Sequence, residues 1–154
     1  ASLPRVSTTL AKQLALYVII HSPLQMASDF IENYEKHPEA FKFIKNVPVD
    51  WDTTIVLNGE IEQFLTIARK DRNSDNWYIG GITNEESRTL QFDLSFLNEG
   101  SYVASIYADG DSADWQSNPL DYKIFERVVS KGELVTMKLA NGGGQAIELE
   151  RIKD

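Results

Sequence analysis

The chain has 154 residues, 42% of them apolar, a formal net charge of -8 and no cysteine. That length suits one domain of ordinary size, or a small domain plus part of another, and the apolar content is too high for a disordered chain. The acidic balance argues against nucleic acid or an anionic membrane as partner, because nothing offsets phosphate repulsion; the missing thiols exclude disulfides, thiolate metal sites and a cysteine nucleophile.

The N-terminal ASLPRVSTT does not read as a signal peptide. Ser7, Thr8 or Thr9 can cap a helix that runs to about Ile20. Leu10, Leu14, Tyr17 and Val18 share one face, and Ala11, Ala15, Ile19 and Ile20 widen it, so this helix is expected to be buried on several sides. The run LALYVIIHSPLQMA is too short, and too broken by His21 and Pro23, to span a bilayer. Ser22-Pro23 ends the helix. Leu24 to Ala27 reads as a short strand, and Ser28-Asp29 can cap a helix over roughly residues 30–36. Pro38 suits the first turn of a further helix with Phe41, Phe43 and Ile44 on its apolar side.

The helical period disappears after Val47, and VPVDWD reads as a linker. From Thr53 onward TTIVLN, EQFLTIARK, NWYIGGIT, TLQFDLSFL, SYVASIYAD, YKIFERVV, LVTMKLA and QAIELERI alternate and are rich in β-branched and aromatic residues. Asn58-Gly59, the polar loop Asp71 to Asn76, Asn98-Glu99-Gly100 and Lys131-Gly132 are turn signals between them. About eight short strands point to an antiparallel sandwich. Residues 1–47, by contrast, cannot close a core: one strand with two or three helices leaves both edges and a face of a parallel strand unsatisfied.

SPLQMASD followed by ENYEKHPEAFKFIKNVPVDWDTTIVLNGEIEQFLTIARK resembles the end of the catalytic domain of glycoside hydrolase family 97. NWYIGGIT, RTLQFDLSFL, IYADGDSADWQSNPLDYKI and KLANGGGQAIEL resemble that family's C-terminal sandwich. The resemblance covers nearly the whole chain in order. It implies a large enzyme with an N-terminal β-sandwich, a (β/α)8 barrel and a C-terminal sandwich, acting as an exo-α-glucosidase (inverting) or α-galactosidase (retaining). It also implies a periplasmic location, common in gut Bacteroidetes, and a calcium ion at the active site. HSPLQMASD then corresponds to the eighth barrel strand. No position here matches the family's catalytic carboxylates, so none is carried over.

Asp29, just past that strand, is the substrate-side candidate, since barrel chemistry gathers at strand C-termini; its plainer reading is a helix N-cap. Asp29 and Glu32 lie on one helical turn, whereas glycosidases set two carboxyls roughly 5 to 9.5 Å apart across the bond. Asp109, Asp111 and Asp114 fail the EF-hand spacing, because Ala113 stands at its fifth position and no glycine follows, so a solvated loop is expected. Trp115 in that loop is expected to plug the end of the sandwich core. His21 and His37 have no triad context. Asn141-Gly142-Gly143-Gly144 precedes a strand, which makes it a turn rather than a phosphate cradle. Trp51, Trp77 and the tyrosines could form a sugar platform, but Trp77 alternates with Ile79 in the pattern of a core strand.

The expected fold is therefore mainly β, an antiparallel, Greek-key-like sandwich over residues 48–154 preceded by a helix-strand-helix remnant of a (β/α)8 barrel over residues 1–47. The expected role is the noncatalytic, stabilising end of an α-glycosidase, inactive alone and with no metal site of its own. Its partner is the rest of the catalytic domain, with self-association through residues 10–20 as a second route for covering that helix. The alternative is an independent carbohydrate- or protein-binding module.

Overall fold

The computed structural model describes residues 8–20 and 36–153. Helix α1 (Leu10–Ile19) starts at Thr9, whose hydroxyl accepts the Lys12 amide at 3.2 Å. Helix α2 (Pro38–Asn46) has proline in its first turn, Glu39 near its N-terminus and Lys45 in its last turn, as the helix dipole favours. Eight strands follow: β1 (Trp51–Glu60), β2 (Phe64–Asp71), β3 (Trp77–Thr83), β4 (Arg88–Asp93), β5 (Ser101–Asp109), β6 (Tyr122–Ser130), β7 (Leu134–Leu139) and β8 (Gly144–Arg151). They make a six-stranded sheet in the order β1-β2-β3-β8-β5-β6 and a two-stranded sheet of β4 and β7. Every named strand pair is antiparallel. The last strand thus lies in the middle of the large sheet, between β3 and β5.

The large sheet has a core on each face. Toward β4 and β7 it turns Trp77, Ile79, Tyr102, Ala104, Ile106, Ile147 and Leu149, which meet Leu90, Phe92, Val135, Met137 and Leu139. In β7 the burial alternates residue by residue, as the sequence predicts for a half-buried strand. Toward the helices the sheet turns Tyr78, Tyr107 and Ala146 against Leu10, Leu14, Tyr17, Val18 and Phe43. Full burial of side chains such as Leu14 or Val18 is worth about 1.5–3 kcal/mol each.

Three strand boundaries differ from expectation. Asn58-Gly59 is not the first hairpin turn: Asn58 pairs with Thr66 and Gly59 with Leu65, so β1 runs on to Glu60. The chain reverses at residues 61–63, where Glu62 takes a left-handed φ of 63°. The VPVDWD linker is partly strand, because Trp51 already pairs with Asp71. Strand β4 stops at Asp93, whose carboxylate accepts the Ser95 amide at 3.1 Å and starts a turn, although Leu94 and Leu97 beyond it stay in the core. The predicted strand Leu24–Ala27 and the helix over residues 30–36 lie, but for Lys36, outside the described residues.

Candidate interaction surfaces

The seam between α1 and the large sheet is built from glycine and buried polar groups. A Cβ at Gly80 would stand 2.5 Å from the Ala15 carbonyl oxygen, and one at Gly144 would stand 2.6 Å from the Lys12 Cα. Only glycine lets helix and strand backbones come this close. Asp109, at the end of β5, closes the N-terminal end of the seam: Thr9 donates to it at 2.6 Å, Ala140 N–H at 2.8 Å and Gly144 N–H at 3.0 Å. Burial pushes the Asp109 carboxyl up from its ordinary range, against the pull of these three hydrogen bonds. The Thr9 and Leu10 amides donate to Gly142 and Pro119 carbonyls, and Lys12 Nζ donates to Thr83 O at 2.8 Å. At the other end Arg69 Nη2 donates to Ile19 O at 3.0 Å. The helix is therefore tied to the sheet at both termini.

Helix α2 docks beside it through aromatic contacts. The Phe43 ring lies 5.0 Å from Tyr107 and 6.2 Å from Tyr78 between centroids. The Tyr78 hydroxyl donates to Asn46 O at 3.0 Å, and burial raises its pKa. The Tyr122 hydroxyl donates to Glu39 and stands beside His37, whose ring meets it edge-on at 5.2 Å. That bond holds the Glu39 carboxyl below its ordinary range.

The sequence-predicted site residues separate on this frame. Asp29, with Glu32 and His21, lies outside the described residues. His37 caps α2. Asp109, Asp111 and Asp114 turn apart: Asp109 to the seam, Asp111 to Lys123 at 3.1 Å, and Asp114 to the Gln116 and Ser117 amides and the Asn141 side chain. The hydrogen bonds from Ser117, Asn141 and Gln116 depress the Asp114 carboxyl. Among the described residues no three His, Asp or Glu side chains converge on a point that could hold a metal ion. Trp77 is a core residue against Phe96, at 4.7 Å between centroids. Trp51 lies half-buried against Tyr78 with the Arg69 guanidinium 5.8 Å from its ring. Trp115 is not a core plug: it is half-buried in its loop, so close above Gly142 that a Cβ there would meet it at 2.6 Å.

Among the described residues, two parts of the helix-bearing face of the sheet are uncovered. Over β1 and β2, beside Lys12, a groove of about 620 Å³ is lined by Val56, Ile61, Leu65 and Ile82. Val56 is 63% exposed and Ile61 90%. Among the described residues strand β1 is also an open edge, paired only with β2, and an unpaired edge invites pairing with another chain. Over β5, β6 and β8 the uncovered surface carries Glu126, Glu148 and Glu150 together with Lys42, Arg151 and Lys153. The apolar side of α1 is not available to a partner: Leu10, Leu14 and Val18 are fully buried by this chain's own sheet. Sequence reasoning missed both surfaces, because which part of the sheet the helices leave bare depends on where they dock.

A model of the family described as "Glycosyl-hydrolase 97 C-terminal, oligomerisation" matches residues 50–150. A retaining alpha-galactosidase of Bacteroides thetaiotaomicron is 38% identical over 147 residues, 96% of this chain and 22% of its own length. A probable retaining alpha-galactosidase of Streptomyces bingchenggensis is 28% identical over 88% of the chain and 20% of its own length. The structure of a glycoside hydrolase family 97 enzyme from Pseudoalteromonas sp. strain K8, in complex with acarbose, superposes with a TM-score of 0.87 at 41% identity, covering 96% of this chain and 23% of that one. The chain spans about a fifth of the length of the curated relatives it matches.

Proposed function

Because the chain belongs to the family of glycoside hydrolase 97 C-terminal domains, we propose that it forms the noncatalytic end of a larger exo-acting α-glycosidase, α-glucosidase or α-galactosidase, and that its sandwich stabilises and assembles that enzyme. In this reading residues 1–47 belong to the barrel and residues 48–154 to the sandwich. The seam carries the proposal. Helix α1 is fastened at both ends and shares one core with β3, β5 and β8, so a load on the barrel end is passed to the sandwich. The catalytic carboxylates, the calcium ion and any substrate role of Asp29 belong to the barrel side, and the enzyme works in the periplasm, as the resemblance implies.

Self-association in this reading runs through the β1–β2 groove and the open β1 edge of two copies rather than through residues 10–20. The exposed Val56 and Ile61 and the family's description as an oligomerisation domain support it. Two assays test the proposal. The 154-residue chain is incubated with p-nitrophenyl α-glucoside and α-galactoside in the presence of calcium; no turnover is expected, and turnover abolished by Asp29→Asn would refute the noncatalytic role. Sedimentation of the wild type and of Ile61→Asp should show self-association in the first and weakening of at least tenfold in the second; equal sedimentation of both would remove the groove from the assembly.

A further inference from the structure

We propose that the cleft between the open edge of β7 and the inner face of β5, β6 and β8 binds one ring of a neutral sugar, with the Gln145 amide as its hydrogen-bonding anchor and the Phe125 ring as its stacking surface. The two-stranded sheet is narrower than the six-stranded sheet it covers. Where it stops, at β7, a cleft of about 500 Å³ remains, within the roughly 300–1,000 Å³ of small-ligand sites.

Gln145 lines this cleft and is only 5% exposed. It stands on the same side of β8 as Ile147 and Leu149 and so points to the sandwich interior. Its amide hydrogen-bonds to no other described residue, whereas Thr136 is engaged by Gln91 and Asn141 by Asp114 and the Ser87 amide. Although the residue as a whole is buried, neither amide atom is among the fully buried unpaired side-chain atoms, so the amide reaches into the cleft. A primary amide offers a donor and an acceptor side by side, which matches two neighbouring hydroxyls on a sugar ring.

The remaining lining agrees with that ligand class. Phe125 is 43% exposed and borders the cleft, and an aromatic face suits the C–H face of a pyranose. The charges nearby are two carboxylates, Asp109 and Asp111, and two ammonium groups, Lys123 and Lys138. Asp111 already pairs with Lys123. The cleft therefore has no net charge to select an anion or a cation. Among the described residues strand β7 pairs only with β4, so its free edge adds backbone donors and acceptors along the cleft wall. A peptide strand added to that edge is the competing occupant, but the mixed polar lining with a single exposed aromatic favours a sugar. The site is independent of the assembly proposed above, since it lies on the opposite face of the sheet from the β1–β2 groove.

The test is titration of the isotopically labelled 154-residue chain with methyl α-galactoside, methyl α-glucoside and maltotriose, read on the Gln145 side-chain amide. A saturable shift in the millimolar range is expected. Tighter binding of maltotriose than of the single rings identifies a chain end as the ligand; equal binding identifies a free monosaccharide. Phe125→Ala should weaken binding about tenfold with an unchanged melting temperature, and Gln145→Leu should abolish it; if Gln145→Leu does not fold, Phe125→Ala alone decides. An unmoved Gln145 amide, the same response to glycerol, or β7 shifts that follow protein concentration without sugar would each overturn the proposal.

Discussion

On one face of the six-stranded sheet, β4 and β7 bury Phe92, Val135 and Met137 against alternating side chains of β3, β5 and β8; on the other, α1 rests on Gly80 and Gly144 and is tied down by Asp109 and Arg69. The first interface is apolar and tolerates adjustment through rotamer changes. The second brings backbone within van der Waals distance and buries charged groups, so it has little room to relax. Stability on the helix face is thus more easily lost by one substitution, and more sensitive to pH.

Leu14→Asp sharpens this contrast most. It places a carboxylate at a fully buried position of α1, with an expected loss of about 4 kcal/mol or more. Thermal melting measures the loss, and hydrogen exchange should show α1 and α2 opening while β4, β5 and β7 stay protected. A variant that melts like the wild type would mean that α1 contributes nothing to the sandwich. On the sandwich face, Met137→Ala removes a fully buried side chain that lies over Gly81 and should cost about 2–5 kcal/mol. Its exchange pattern should be the reverse, with β4 and β7 opening first; identical patterns for the two variants would show one undivided core.

Asp109→Ala should cost about 1–3 kcal/mol, because it strands the Thr9 hydroxyl and the Ala140 and Gly144 amides at a buried position. The loss should be reduced in Thr9→Val, where one of those donors is already gone; full additivity in that double-mutant cycle would separate the two residues.

The smallest expected effect is a gain. Burial pushes the Glu148 carboxyl up, opposed by the Asn46 side chain at 3.4 Å and reinforced by Glu150. A carboxyl with a raised folded-state pKa destabilises the fold above that pKa, and the penalty fades as pH falls through it toward the unfolded value of about 4.3. Glu148→Gln should raise the melting temperature by about 1–3 °C at pH 7 and bring no advantage near pH 4. A gain independent of pH would point to packing rather than charge.

Most of the strand pattern was legible because alternation is local: the burial of Val135, Met137 and Leu139 follows from period two alone. The helix α1 and its apolar face were equally legible, but the sequence narrows its cap only to Ser7, Thr8 or Thr9, and Ile20, expected on that face, is the C-cap and 43% exposed. The first turn was not. Asn58-Gly59 carries the chemistry of a tight turn, yet the pairing of Asn58 with Thr66 and Gly59 with Leu65 holds it extended, because ladder hydrogen bonds outweigh the preference of a dipeptide. Gly80 and Gly81 did carry a signal, since glycine inside a strand marks close approach of another chain segment, but not which segment.

The sequence by itself determined the strand-rich composition, the apolar face of α1 and the motifs through which the family resemblance is recognised, since each depends on residues near one another along the chain. Tertiary structure alone decided that β8 enters the middle of the sheet, that Asp109 meets Thr9 from 100 positions away, and that Gln145 stands at a cleft where β7 ends. Those facts arise from the packing of a six-stranded sheet against a two-stranded one and a pair of helices. Contacts at such sequence separation leave no period or spacing in a single chain to be read.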